Sequence, residues 1–77
     1  MDIRIKIGKR IKYIRESKGI SQKDLAYESD LDRSYIASIE VGKRNVSIVN
    51  LEKIANALNI PLYKLFKEPE DESKDIE

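Results

Sequence analysis

Apolar and polar residues follow a helical period along most of this chain, and the pattern is tightest over residues 22–41. Leu25, Ala26 and Ser29 fall on one face at the i, i+1, i+4 spacing of a buried stripe, and Ile36 and Ile39 share a face further on. Ser21 precedes the first stripe as an N-cap, with Asp24 three residues later in the manner of a capping box, and Asp32 precedes the second. Only Ser29, Asp30 and Leu31 separate the two, enough to change direction and no more. The pattern predicts two short helices meeting at a tight corner, a helix-turn-helix. Ala26 sits where the two axes come closest, Leu31 plugs the space between them, and Ile36 and Ile39 pin the second helix to the core.

Upstream, two periods compete. Ile3, Ile5 and Ile7 alternate with Arg4 and Lys6 as in a strand, whereas Ile3, Ile7, Ile11 and Ile14 line one helical face. The longer pattern predicts a helix from residue 5 or 7 to 18, ended by Gly19 at C′, with Lys9, Arg10, Lys12 and Lys18 on a solvated outer face. Downstream, residues 41–45 form a loop in which Gly42 takes a positive φ. Ser47 caps a helix over 48–58 whose stripe is Leu51, Ile54, Ala55 and Leu58. Asn59 follows as a C′ residue, and Pro61 opens a last short helix at N1. That helix carries Leu62, Tyr63, Leu65 and Phe66, too many for so small a core to bury. Leu65 and Phe66 are expected to close the core. Ile60, Leu62 and Tyr63, joined by Phe66 at its edge, form an exposed apolar patch of the kind that commonly means a partner, here a second copy in a two-fold dimer. The bland reading of that patch is a monomer with one greasy end. The fold class is all-α: five compact helices over residues 1–67.

Composition narrows the function. Seventy-seven residues make one domain with a small core. The absence of Cys and His excludes a disulfide framework and disfavours zinc or thiol chemistry. No apolar run approaches the ~20 residues of a membrane span, and Arg4 and Lys6 lead into no apolar block, so neither a membrane anchor nor a signal peptide is expected and the location is cytoplasmic. A net charge of +1 hides an asymmetry: residues 1–67 carry a net +6, and residues 68–77, an acidic tail expected to be disordered, carry a net −5. A basic body suits a polyanion. No glycine-rich phosphate loop or paired buried carboxylates suggest an enzyme, a cofactor or a small-molecule ligand.

The second helix of the corner would lie in a DNA major groove. Its outward set is Arg33, Ser34, Tyr35, Ala37 and Ser38, which includes no acid. The Arg33 fork matches guanine O6 and N7 together; the competing readings are neutralisation by Asp30 or Asp32, or a phosphate contact. Ser34 suits a base edge or phosphate. Tyr35 suits a thymine methyl or phosphate, or else packs over Arg33. Ala37 leaves room for close approach, and Ser38 faces the groove wall. Backbone contacts are expected from Gln22, at the positive end of a helix, from neighbouring Lys23, from Lys43, Arg44 and Asn45, and from Ser47 at the next helix start. Arg44 has the reach to enter the minor groove. Tyr27 is read as packing or partly exposed, without a role in binding.

These residues resemble the lambda-repressor-like, or Cro-type, DNA-binding family over residues 7–66. Asp30 departs from it, standing where the family favours Gly in a left-handed turn position that Asp tolerates better than most residues. The resemblance implies an ion pair between Arg15 and Glu40 joining the first and third helices, and Gln22 on the DNA backbone. It also implies a transcriptional regulator that binds double-stranded DNA as a homodimer on a palindromic operator. More finely, LDRSYIASIEVGKRNVSIVNLEKIANAL is similar to the controller proteins of restriction–modification systems, which implies DNA contacts by Arg33, Tyr35, Arg44 and Asn45. The rival class is an antitoxin or anti-repressor that masks a partner protein through residues 60–66.

Overall fold

The computed structural model describes residues 2–67, so the acidic tail lies outside the described residues. Four α-helices, α1 (Ile3–Ser17), α2 (Gln22–Ser29), α3 (Arg33–Glu40) and α4 (Ile48–Ala57), are followed by a single 3-10 turn, Leu62–Phe66. The expectation of five helices is corrected on this point. Pro61 stands outside the last element with extended backbone (φ −69°, ψ 150°) rather than at its first helical position. Five residues then close with tighter i→i+3 geometry.

The helix α1 begins earlier than the sequence pattern suggested, because Asp2 caps it. The Asp2 backbone is extended, and its carboxylate accepts the Arg4 N–H at 2.8 Å and the Arg4 guanidinium at 2.7 Å. The side-chain bond from Arg4, then its backbone N–H, lowers the Asp2 pKa to about 2. With its first turn closed in this way, the segment that alternates like a strand is helical. Ile3, at the start of the apolar face, nevertheless stays exposed, while Ile7, Ile11 and Ile14 are buried.

All four helices stop by the same device. A residue one or two positions past each end enters the left-handed region: Gly19 at φ 70°, Asp30 at 58°, Gly42 at 81° and Asn59 at 60°. At each stop the next N–H reaches back to a carbonyl five residues earlier, as in Ile20 to Arg15, Leu31 to Ala26, Lys43 to Ser38 and Ile60 to Ala55, each at 3.0 Å. This satisfies carbonyls that a helix end otherwise leaves orphaned. Two of the four positions are filled by Asp and Asn, the non-glycine residues that accept this conformation most readily. Asp32, by contrast, precedes α3 with extended backbone but makes no side-chain cap hydrogen bond.

One core gathers all the elements: Ile11, Leu25, Ile36, Ile39, Ile54, Leu58 and Leu65 are almost wholly enclosed, with Ala26 and Ala55 buried among them. Leu31 packs against this core from the turn. Three side chains differ from expectation. Phe66 is 46% exposed and does not close the core. Arg10 is buried rather than solvated: its Nε donates to the Lys64 carbonyl at 2.8 Å and its guanidinium lies over the Tyr13 ring, fastening α1 to the 3-10 turn. Tyr27 is 83% exposed and packs on little.

Gly8, to which the sequence pattern drew no attention, sets the crossing of α1 over α3. It is buried, and a Cβ there would collide with the Ile39 carbonyl oxygen and lie 2.9 Å from that of Glu40. Backbone meets backbone, so neither side can yield by rotating a side chain. Gly8→Ala is therefore expected to lower stability by about 1–3 kcal/mol through overpacking, although alanine is the better helix former by about 1 kcal/mol. Urea unfolding checks this, and a variant as stable as the parent would show that α1 crosses α3 less closely.

Candidate nucleic-acid interface

The helix α3 is short and strongly two-sided. Ile36, Ile39 and Glu40 face inward, and Arg33 and Ser34 stand exposed at its N-terminal end. Its placement depends on the buried carboxylate of Glu40. Arg15 Nε donates to Glu40 Oε2 at 2.7 Å and Arg15 Nη2 to Oε1 at 3.0 Å, a two-pronged pair. Gln22 Nε2 adds a third bond to Oε1 at 3.0 Å, and Arg15 Nη1 donates to the Ile20 carbonyl at 2.9 Å. Residues of α1 and α2, and the loop between them, thus converge on the end of α3. The bond to Glu40 raises the Arg15 pKa above its already high value, so the guanidinium stays protonated.

This geometry changes the part open to Gln22. Its side chain is committed to Glu40, so a phosphate at this place would meet the backbone N–H at the start of α2. Lys23 beside it is exposed. Arg33, flanked by exposed Asp30 and Asp32, makes no side-chain hydrogen bond or ion pair among the described residues, so neither acid neutralises it. Ala37 and Ser38 are half-buried along the outer side of α3.

Tyr35 neither projects freely nor packs over Arg33. It is half-buried against the core, and its hydroxyl accepts a hydrogen bond from Asn50 Nδ2 of α4 at 3.1 Å. Arg44 from the α3–α4 loop lies over its ring, 5.4 Å from the centroid. Arg44 Nε also donates to Ser38 Oγ at 3.0 Å, and Ser38 Oγ donates to the Tyr35 carbonyl at 2.8 Å. The loop is thus fastened to the outer side of α3. Lys43 and Asn45 on either side are exposed. Ser47 Oγ accepts the Asn50 N–H at 3.1 Å and caps α4. Sequence reasoning missed Asn50, since a partner 15 residues from Tyr35 across a loop leaves no periodic signal.

The apolar patch is partly as expected from the sequence. Ile60 and Leu62 are half-buried against the core, whereas Tyr63 and Phe66 are 60% and 46% exposed. No group of acids among the described residues is arranged to hold a metal ion, and no described helix is long and apolar enough to cross a membrane.

Residues 11–65 match a family model described as helix-turn-helix. The chain belongs to the helix-turn-helix family. It is 51% identical over 72 residues to control protein C.MunI of Mycoplasma sp, covering 92% of this chain and 97% of that one. Control protein C.BamHI of Bacillus amyloliquefaciens is 50% identical over 60 residues, 77% of this chain and 74% of its own. The crystal structure of the restriction-modification controller protein C.AhdI from Aeromonas hydrophila superposes with a TM-score of 0.83 at 47% identity, over 86% of this chain and all of that one. The protein is a sequence-specific DNA-binding transcriptional regulator that resembles these controller proteins, a non-catalytic class.

Removing either partner of the buried pair strands a charge. Arg15→Ala and Glu40→Ala are each expected to cost about 3–5 kcal/mol of stability, and the double variant less than the sum. Chemical denaturation of all three checks this; additive losses of under 1 kcal/mol each would reduce the pair to a surface contact.

Proposed function

We propose that two copies of this chain bind a palindromic operator in the cytoplasm, each placing α3 in a major groove, with half-sites about 34 Å apart. The carrying observation is the N-terminal end of α3. Arg33 and Ser34 are exposed there, and Arg33 is unpaired among the described residues, while the helix is anchored behind by Glu40. In this reading Arg33, Ser34, Tyr35 and Ala37 face the bases. Arg33 takes guanine O6 and N7 with its fork, and Ala37 leaves space for the duplex. Gln22, Lys23, Ser38, Lys43, Arg44, Asn45 and Ser47 follow the phosphates, Gln22 through its main chain and Ser47 through the helix start it caps. The restriction–modification role of the relatives suggests the regulated genes: those of a restriction enzyme and its companion methyltransferase. Regulation then follows operator occupancy and needs no small-molecule effector. Tyr63 and Phe66, the exposed part of the apolar patch, with Ile60 and Leu62 behind them, make the dimer contact.

Arg33→Ala is expected to weaken binding to the preferred operator by about 1–3 kcal/mol and to relax preference at one base pair. Titration against single-substitution duplexes checks this, and equal loss on every duplex would make Arg33 a phosphate contact. Wild-type affinity should fall by about 10³-fold or more between 50 and 200 mM salt if several phosphates are held. Binding insensitive to salt would point instead to a protein partner held by the apolar patch. Tyr63→Glu is expected to give a folded monomer with weakened operator binding. An unchanged sedimentation profile would place the dimer contact elsewhere.

A further inference from the structure

We infer that Asn50, a residue of α4, is a positioning residue for DNA recognition that sets the hydrogen-bond polarity of Tyr35 and, through the Tyr35 ring, the seat of Arg44. The inference rests on the functional reading above and extends it to a residue outside the expected contact set.

The hydrogen bonds around Tyr35 run in one direction. Asn50 Nδ2 donates to the tyrosine oxygen at 3.1 Å, which occupies an acceptor site of the phenol and leaves its own O–H to donate elsewhere. Arg44 Nε donates to Ser38 Oγ at 3.0 Å, and Ser38 uses its proton on the Tyr35 carbonyl at 2.8 Å. What the Tyr35 hydroxyl proton and the Arg44 Nη groups can offer outward is donors, since these have no hydrogen-bond partner among the described residues. These donors fit guanine O6 and N7, thymine O4 and phosphate oxygens, and they do not pair with the amino groups of adenine and cytosine. Were Asn50 to present an acceptor instead, the phenol proton would turn inward and the set would lose a member.

Position matters as much as polarity. Tyr35 is half-buried between the core and Arg44, whose guanidinium lies 5.4 Å from the ring centroid. A phenol held at its hydroxyl by α4 cannot swing about its Cα–Cβ bond without breaking that hydrogen bond and carrying away the ring on which Arg44 rests. Asn50 therefore couples a helix outside the helix-turn-helix corner to the recognition surface. Its own backbone is fixed independently, because its N–H donates to Ser47 Oγ at 3.1 Å, so substituting the side chain leaves the α4 cap in place.

The test uses the full chain and the operator that wild-type protein selects from a randomised duplex pool. Asn50→Ala, Asn50→Asp, Tyr35→Phe and the two double variants are titrated against that operator and its single-substitution derivatives, with thermal unfolding as a fold control. Aspartate at this position suits the first turn of a helix, so Asn50→Asp keeps the fold while replacing the donor by acceptors. Loss of one neutral hydrogen bond predicts an affinity about twofold to tenfold lower for Asn50→Ala. The change should be accompanied by flattened preference at one or two base pairs, and no further loss should follow in the Tyr35→Phe background. Asn50→Asp should lose more than Asn50→Ala, and its excess should shrink when Tyr35 is Phe. Wild-type affinity and preference in both Asn50 variants would overturn the inference, as would losses that simply add to that of Tyr35→Phe. Wild-type protein that enriched no duplex at all would instead overturn the functional reading on which the inference stands.

Discussion

A carboxylate inside a small apolar core is costly unless its charge is met, and Glu40 is such a group. It sits at the last residue of α3, and the donors that meet it come from Arg15 in α1 and Gln22 in α2. The apolar contacts of Ile36 and Ile39 hold α3 against the core without fixing its rotation or its end point. A two-pronged guanidinium–carboxylate pair has a preferred plane and distance, so it fixes both. Gly8 supplies the complementary constraint, allowing the α1 backbone to lie directly against the carbonyls at the same end of α3. With its C-terminal end held from two directions, α3 presents its N-terminal end outward, and that end carries the exposed Arg33 and Ser34.

The outer side of α3 is organised before any DNA arrives. Tyr35, Ser38, Arg44 and Asn50 draw on three elements, and their mutual bonds place the loop cation next to the recognition helix. Ordering side chains in advance lowers the entropy lost on binding. Arg33, Lys43 and Asn45 are exposed, and in the proposed reading they gain their order on contact. The interface therefore divides into a preformed centre and adaptable flanks. Such a division suits a protein that finds duplex through nonspecific phosphate attraction and then reads a site.

Most of the fold was legible in the sequence because its signals were local. Gly19, Asp30, Gly42 and Asn59 mark the four helix ends, and each takes the left-handed backbone its position suggested. The stripes of α2, α3 and α4 name residues that are buried. The start of α1 was misplaced because the alternation of Ile3, Ile5 and Ile7 obscured the cap at Asp2. Arg10 read as solvent-facing because no helical period reveals a carbonyl from residue 64 waiting for its guanidinium. Phe66 read as core because a phenylalanine at the end of a chain pattern is usually buried, yet the five-residue 3-10 turn gives Leu65 that place and leaves Phe66 outside. The residues of the candidate interface were legible as a set, and their mutual arrangement was not. Gln22 turns its amide to Glu40, and Tyr35 lies beneath Arg44, because those bonds join residues 18 and nine positions apart across different elements.

In the proposed reading a rigid helical body presents α3 to a major groove, and a second copy repeats the presentation one turn away. Sequencing the duplexes that the wild-type protein enriches from a randomised pool tests both halves at once. The proposed reading predicts a two-fold symmetric consensus whose half-site centres are about 10 base pairs apart or a multiple of that. A single unsymmetric site, or no enrichment over the starting pool, would contradict it.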